Sequence, residues 1–231
     1  MSGALTVAVT LEARGRRGDA LALDVTFEAP PGVTVLFGPS GAGKTRTLSC
    51  IAGLVRPSRG RIALGTSVWF DAASRIHRPI HERRVAYVFQ SLALFPHMTA
   101  ADNVAYGISR DVPRAERDAI ARQMLTKMRV GDLADRKPTT FSGGEAQRVA
   151  LARAFAMRPR AVLLDEPFNA LDAAVKAELL REVGEELTRI GVPAILVTHQ
   201  PEEARRLGDR VVFLDEGRVT RTATMKDAPF S

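Results

Sequence analysis

The stretch Gly38-Pro39-Ser40-Gly41-Ala42-Gly43-Lys44-Thr45 has the residue types and spacing of a phosphate grip. It fits the pattern G-x-x-x-x-G-K-[ST], with a short apolar run (Val33 to Phe37) before it and a helical pattern (Thr45 to Leu54) after it. Glycines let successive backbone N–H groups turn inward around phosphates, and the following helix start adds the positive end of its dipole. Lys44 can reach β- and γ-phosphates, while the Thr45 hydroxyl can ligate Mg²⁺. A chance match is expected at roughly one per cent for a chain of this length, so the loop is read as a nucleotide site.

A second group follows downstream. The apolar run Ala161-Val162-Leu163-Leu164 delivers Asp165 and Glu166 at a strand's C-terminal end, where ligands sit in open α/β sheets. Asp165 is placed to hold Mg²⁺, directly or through water. Glu166 beside it suits a general base that orients or deprotonates an attacking water. An acidic pair at a strand end is common by itself; the phosphate loop upstream gives this one its catalytic reading.

These side chains need a frame. Leu5 to Leu11 and Ala20 to Phe27 alternate as two strands, with Gly15 and Gly18 in the turn between them. Val33 to Phe37 reads as a buried strand, and the helix from Thr45 to Leu54 is ended by Arg56-Pro57. Strands are expected around Arg61–Leu64, Val68–Phe70 and Val85–Phe89. From about Thr99 to Ala156 the pattern is mostly helical. Within it, Ile120, Met124, Leu125 and Met128 line one face of a helix over Ala115 to Met128. Strand and helix then alternate through Ala161–Leu164, Leu171–Ile190, Ala194–Val197, Pro201–Leu207 and Val211–Leu214. Short apolar strands between helices imply an α/β fold with a mostly parallel sheet covered on both faces. The helical stretch between the two strand-bearing parts is expected to be an inserted subdomain.

Composition narrows the class. The chain has 231 residues, 45% of them hydrophobic, enough for one domain with a subdomain. Cys50 is the single cysteine, so no internal disulfide is expected, and a reducing compartment is the simplest setting. Met1 to Leu5 lacks the pattern of a secretory signal. No apolar stretch reaches about 18 residues, so any transport role must work through partner subunits. The net charge of +7 is carried by scattered arginines such as Arg14, Arg61, Arg110, Arg158 and Arg221, without interleaved aromatics. Nucleic-acid binding is therefore not expected.

Phe141-Ser142-Gly143-Gly144-Glu145-Ala146-Gln147-Arg148 resembles the signature sequence of ABC transporter ATP-binding subunits, usually written LSGGQ. Val88-Phe89-Gln90 resembles that family's Q-loop, Asn169-Ala170-Leu171-Asp172 its D-loop, and Thr198-His199 its switch histidine. Order and spacing agree, and the resemblance runs over about the whole chain. It implies a P-loop NTPase core with an N-terminal antiparallel β subdomain and an inserted α-helical signature subdomain. The chain would then be one ABC ATPase domain, with a RecA-like core over about 1–90 and 158–231 and a helical subdomain over about 91–157. The cofactors implied are ATP and Mg²⁺. Two nucleotides would lie between two subunits arranged head to tail, the loop from Gly38 to Thr45, with Arg46 next to it, facing the partner's signature. Ser142 and the N–H groups of Gly143 and Gly144, opening a helix, would be the second anion site. The resemblance also implies that His199 contacts the γ-phosphate and that Gln90 senses Mg²⁺ and the attacking water. The segment beginning at Gln90 would meet the membrane partner. Leu94, Phe95, Pro96 and His97, an apolar cluster with proline, read as its docking surface, with packing of Leu94 and Phe95 under the helical subdomain as the alternative.

The chain departs from the family pattern at several places. The hairpin around Arg14, Gly15, Arg16 and Arg17 has no aromatic to stack on adenine before Phe27. Arg46 stands where Ser or Thr is frequent, Glu145 replaces Gln, and Phe141 replaces Leu. Arg83-Arg84-Val85-Ala86-Tyr87-Val88-Phe89-Gln90 and Leu94-Phe95-Pro96-His97 resemble the importer branch, and the phosphate loop with Gly144-Glu145 is most similar to molybdate-importer ATPases. Sugar, polyamine, iron and sulfate importers stay open as alternatives. Molybdate-importer ATPases commonly carry a C-terminal oxyanion-binding domain; with the sequence ending at Ser231, the expectation is either that this regulation is absent or that the chain is truncated. The partners implied are a second copy, transmembrane permease subunits and, indirectly, an extracytoplasmic solute-binding protein. The location implied is peripheral, on the cytoplasmic face of the inner membrane. A DNA-repair ATPase would insert a long coiled coil between Gln90 and Ser142, and a translation factor would carry two such cassettes; neither fits.

Overall fold

The structure, a computed structural model, describes residues 3–12, 23–169 and 171–230. Along the chain run β1 (Leu5–Leu11), β2 (Leu23–Ala29), β3 (Gly32–Phe37), α1 (Lys44–Ala52), β4 (Arg59–Leu64), β5 (Ser67–Asp71) and β6 (Ile76–His77). Next come α2 (Ile80–Arg83), β7 (Val85–Val88), α3 (Ala100–Tyr106), α4 (Arg114–Lys127), α5 (Gly143–Ala156) and β8 (Ala161–Asp165). The last elements are α6 (Ala173–Ile190), β9 (Pro193–Thr198), α7 (Pro201–Leu207), β10 (Arg210–Asp215) and β11 (Arg218–Thr224). The chain divides into two compact units, one of Met1–Val85, Arg160–Asp165 and Leu187–Ser231, the other of Ala86–Pro159 and Glu166–Glu186. Among the described residues no helix is long and apolar enough to cross a membrane.

The first unit is built on a mixed sheet. Its strands run β6-β5-β4-β1-β2-β11-β10-β3-β9-β8. β10, β3, β9 and β8 run parallel to one another. These are the apolar strands between helices, and β8 and β9 are buried along their whole length. The strands from β6 to β2 pair antiparallel, and there the inside–outside alternation is clean, as in Leu5, Val7 and Val9 against exposed Thr6 and Ala8. β11 joins the two halves. It pairs antiparallel with β10 and parallel with β2, with Arg218 in register opposite Asp24.

The fold is thus α/β, with a parallel core and an antiparallel flank. β1 spans the residues expected of it, and β2, described over Leu23–Ala29, extends past the expected Phe27; residues 20–22 of that expectation lie outside the described residues. The expected turn with Gly15 and Gly18 lies outside the described residues. α1 stops at Gly53, ahead of Arg56-Pro57. Gly53 takes the left-handed φ of 89° and returns its N–H to the carbonyls of Ser49 and Cys50, closing the helix at Ala52, short of the expected Leu54. α6 starts after Asp172, whose carboxylate accepts from the N–H of Val175 at 3.0 Å, so Leu171 stays outside the helix. β11 has no counterpart in the sequence reading, because Arg218–Thr224 is polar and mostly exposed and only the ladder to β10 makes it a strand.

In the second unit α3, α4 and α5 pack on one another through Val104, Ala121, Leu125, Val149 and Leu151. Thr99 and Ser142 begin α3 and α5 with reciprocal capping boxes to Asp102 and Glu145. The segment Leu94–His97 is tied down from behind. Buried Asn103 accepts from the N–H of Phe95 at 2.8 Å and donates to the carbonyls of Phe95, Met98 and Thr99. Phe95 itself is half-buried, its ring 4.7 Å from that of Tyr106, which is 59% exposed. Deeper in this unit Arg148, on α5, pairs with Glu178 and Glu182, on α6, and Arg129 pairs with both carboxylates as well.

Candidate functional site

Three parallel strands end side by side in the first unit. Phe37, last in β3, lies opposite Thr198, last in β9; Asp165, last in β8, lies opposite Val197. The loop beginning at Gly38, the Asp165 carboxylate and the residue after β9, exposed His199, therefore leave the sheet at one edge. Buried strands hold that edge rigid, the usual ligand position in an open parallel sheet.

The phosphate loop is shaped by contacts as much as by conformation. A Cβ on Gly38 would lie 2.0 Å from the Leu214 carbonyl oxygen, so no larger residue fits there. Gly43, which opens α1, adopts a left-handed φ of 96°. Pro39, Ser40 and Gly41 are exposed, and Ala42 is buried with its N–H donating to Pro39 at 3.2 Å. Lys44 is only 6% exposed. Its ammonium donates to the carbonyls of Gly38 and Pro39, both at 2.8 Å, which centres the charge within the loop. The Thr45 hydroxyl donates to Asp165 Oδ1 at 3.0 Å, and Asp165 is 4% exposed. Arg46 is exposed on the first turn of α1.

A hydroxyl and a carboxylate at this distance are the hard oxygen donors that Mg²⁺ takes. Among the described residues no cluster of three or more His, Cys, Asp or Glu forms a cage for a metal.

In the second unit Glu166 takes a left-handed φ of 48°, uncommon for a side chain of this kind. Gln90 Nε2 donates to Glu166 Oε2 at 3.4 Å, and the Asn169 side-chain amide donates to the same oxygen. The Asn169 N–H also returns to the Glu166 carbonyl at 3.3 Å. Two amides thus aim one carboxylate. The role of Asn169 was not assigned from sequence, although its place in the D-loop motif three residues after Glu166 is the signal that could have found it.

The signature residues Ser142, Gly143 and Gly144 open α5. The Ser142 hydroxyl accepts from the N–H of Glu145 at 3.3 Å, while the Ser142 N–H donates to the Glu145 carboxylate at 2.6 Å. The bond from the Ser142 N–H, and after it hydrogen bonding from the Ser142 side chain, hold the Glu145 carboxyl below the usual range. Glu145 can take the place of Gln because the capping box uses its acceptor oxygen. Gly143 is exposed, with nothing within 4 Å of where a Cβ would stand, so the helix end is open to a ligand. The arginines at 14, 16 and 17 lie outside the described residues, as does Ala170 of the D-loop.

The model of the family described as "ABC transporter" matches residues 23–169. The chain belongs to the ABC transporter family. Its relatives include the molybdenum import ATP-binding protein ModC 1 of Azotobacter vinelandii, 42% identical over 207 residues, 89% of this chain and 57% of that protein. ModC of Rhodospirillum rubrum is 43% identical over 92% of this chain and 57% of its own length. This ABC family chain thus spans somewhat over half the length of these curated relatives. Among solved structures it is similar to a dimeric ATP-binding cassette in a post-hydrolysis state bound to ADP and Pi. That match has a TM-score of 0.82 and 26% identity, covering 96% of this chain and 98% of that one.

Proposed function

We propose that this chain binds and hydrolyses ATP with Mg²⁺ to drive a membrane importer, and that the solute is molybdate or a related oxyanion. The observation that carries the ATPase reading is the Thr45–Asp165 hydrogen bond beside the buried Lys44 ammonium. The solute reading rests on the ModC relatives, matched over about nine-tenths of this chain.

Each residue has a role in this reading. The loop Gly38–Thr45 and the Lys44 ammonium bind the phosphates, with Arg46 at its margin. Thr45, Asp165 and Gln90 hold the metal, which when bound neutralises charge on the phosphate oxygens. Glu166, oriented by Gln90 and Asn169, takes the proton from the attacking water. His199 contacts the γ-phosphate. Ser142, Gly143 and Gly144 of a second copy complete the site, which makes the active form a homodimer. The 231 residues act as one ABC ATPase domain, with about 91–157 as its helical subdomain. The dimer works at the cytoplasmic face of the membrane, on permease subunits that an extracytoplasmic solute-binding protein supplies. Nucleic acid has no part in it.

The test is phosphate release by the ATPase assembled with its permease in vesicles, with Mg²⁺ or with chelator, and with binding protein loaded by each candidate solute. Mg²⁺-dependent hydrolysis stimulated by molybdate is the expected result. Stimulation by sulfate, iron, a polyamine or a sugar instead would replace the solute. Absence of hydrolysis with every solute would overturn the ATPase reading.

A further inference from the structure

The loop that carries His199 is held by a buried acid that no motif assigned. Glu203 lies on the first turn of α7, 1% exposed. A carboxylate so far from water costs stability unless hydrogen bonds compensate it. Glu203 Oε2 accepts from the Thr198 hydroxyl at 2.6 Å, and the same hydroxyl accepts from the N–H of Gln200 at 3.0 Å. Gln200 is the N-cap of α7 and makes no side-chain cap of its own. In an ordinary capping box the acid at the third helical position reaches back to the N-cap N–H directly. Here a hydroxyl is interposed, and the single residue it spans, between Thr198 and Gln200, is His199.

Thr198 is 1% exposed and lies in register with Phe37, the residue before the phosphate loop. The chain is therefore fixed on both sides of His199, by the sheet before it and by the helix start after it. His199 is itself exposed. We infer that Glu203, acting through the Thr198 hydroxyl, is a positioning residue that sets the backbone on which His199 reaches the γ-phosphate. This rests on the reading of His199 given above.

Thr198→Val keeps the shape and removes both hydrogen bonds, while Thr198→Ser keeps them. A small displacement of a phosphate-contacting group can cost on the order of 10²-fold in rate. Thr198→Val is expected to lower kcat by about 10- to 100-fold with the KM for ATP within about threefold, and Thr198→Ser to restore it. In a His199→Ala background Thr198→Val should add less than about twofold, because the group it positions is gone. Wild-type turnover in Thr198→Val, or an equal loss with and without His199, overturns the inference and leaves the histidine's role standing. Wild-type turnover in His199→Ala alone overturns the histidine reading, and the inference with it. If Thr198→Val does not fold, Glu203→Gln taken through the same cycle decides the matter by the same outcomes.

Discussion

The Thr45 hydroxyl donates to Asp165 Oδ1 across 3.0 Å, although 120 residues separate the two in sequence. One residue lies in the first turn of α1 and the other closes β8, so the bond ties the phosphate loop to the acidic strand. Asp165→Asn keeps an oxygen for this bond but removes the charge a divalent cation needs. The Mg²⁺ concentration for half-maximal hydrolysis should rise at least about tenfold, about 1.4 kcal/mol. ATP binding in chelator should hardly change. A Mg²⁺ titration of phosphate release reads this, and an unshifted midpoint would remove Asp165 from the metal site.

Glu166 receives two amides on one oxygen, from Gln90 and Asn169. Glu166→Gln should retain ATP binding and lower turnover by roughly 10²-fold or more, the scale of general-base loss. An ATP-bound dimer should accumulate, visible by size exclusion. Asn169→Ala should lower turnover far less, because it removes one orienting amide and leaves the one from Gln90. Equal turnover in Glu166→Gln and wild type would sink the assignment.

Ser142 and Gly143 lie exposed at the start of α5, so a bulky group there enters open space and does not disturb the core. Ser142→Arg should bind ATP as an isolated subunit with near-normal affinity, yet fail to dimerise or hydrolyse. Mixing it with Lys44→Ala subunits can restore at most one composite site per dimer. Normal hydrolysis by Ser142→Arg alone would contradict a shared site.

Cys50 is fully buried in α1, and desolvation pushes its thiol from 9.0 up to about 11, against the opposing fields of Arg46 and Arg83. The folded protein should therefore resist a thiol reagent at pH 8 and react only on unfolding. Above pH 9.0 the unfolded thiol loses its proton while the folded one keeps it, so this contribution to stability falls between about 9 and 11. Fast labelling of native protein would contradict both statements.

Asn103 is fully buried and makes four hydrogen bonds to the backbone of residues 95–99. Asn103→Ala leaves those groups without their partner and should cost about 1–3 kcal/mol, measured by denaturant unfolding. A midpoint unchanged within error would show that the segment holds itself.

The chemistry proposed for this protein is legible where it is written in contiguous residues. The phosphate loop, the Asp165-Glu166 pair and the signature each occupy one short stretch, because the backbone there must make a fixed local turn or helix start. Amphipathic patterning likewise placed β1 and α4 nearly residue for residue. What local pattern could not reveal depends on partners distant in the chain. β11 is polar and mostly exposed, and it becomes a strand only through its ladder to β10. Asn169 reads only as a member of the D-loop motif and Glu203 as an ordinary helix residue until the fold sets one on Glu166 and buries the other beneath Thr198. Residue type and spacing determine which groups are present, whereas aiming them takes hydrogen bonds between segments that only tertiary packing brings within 3 Å or so.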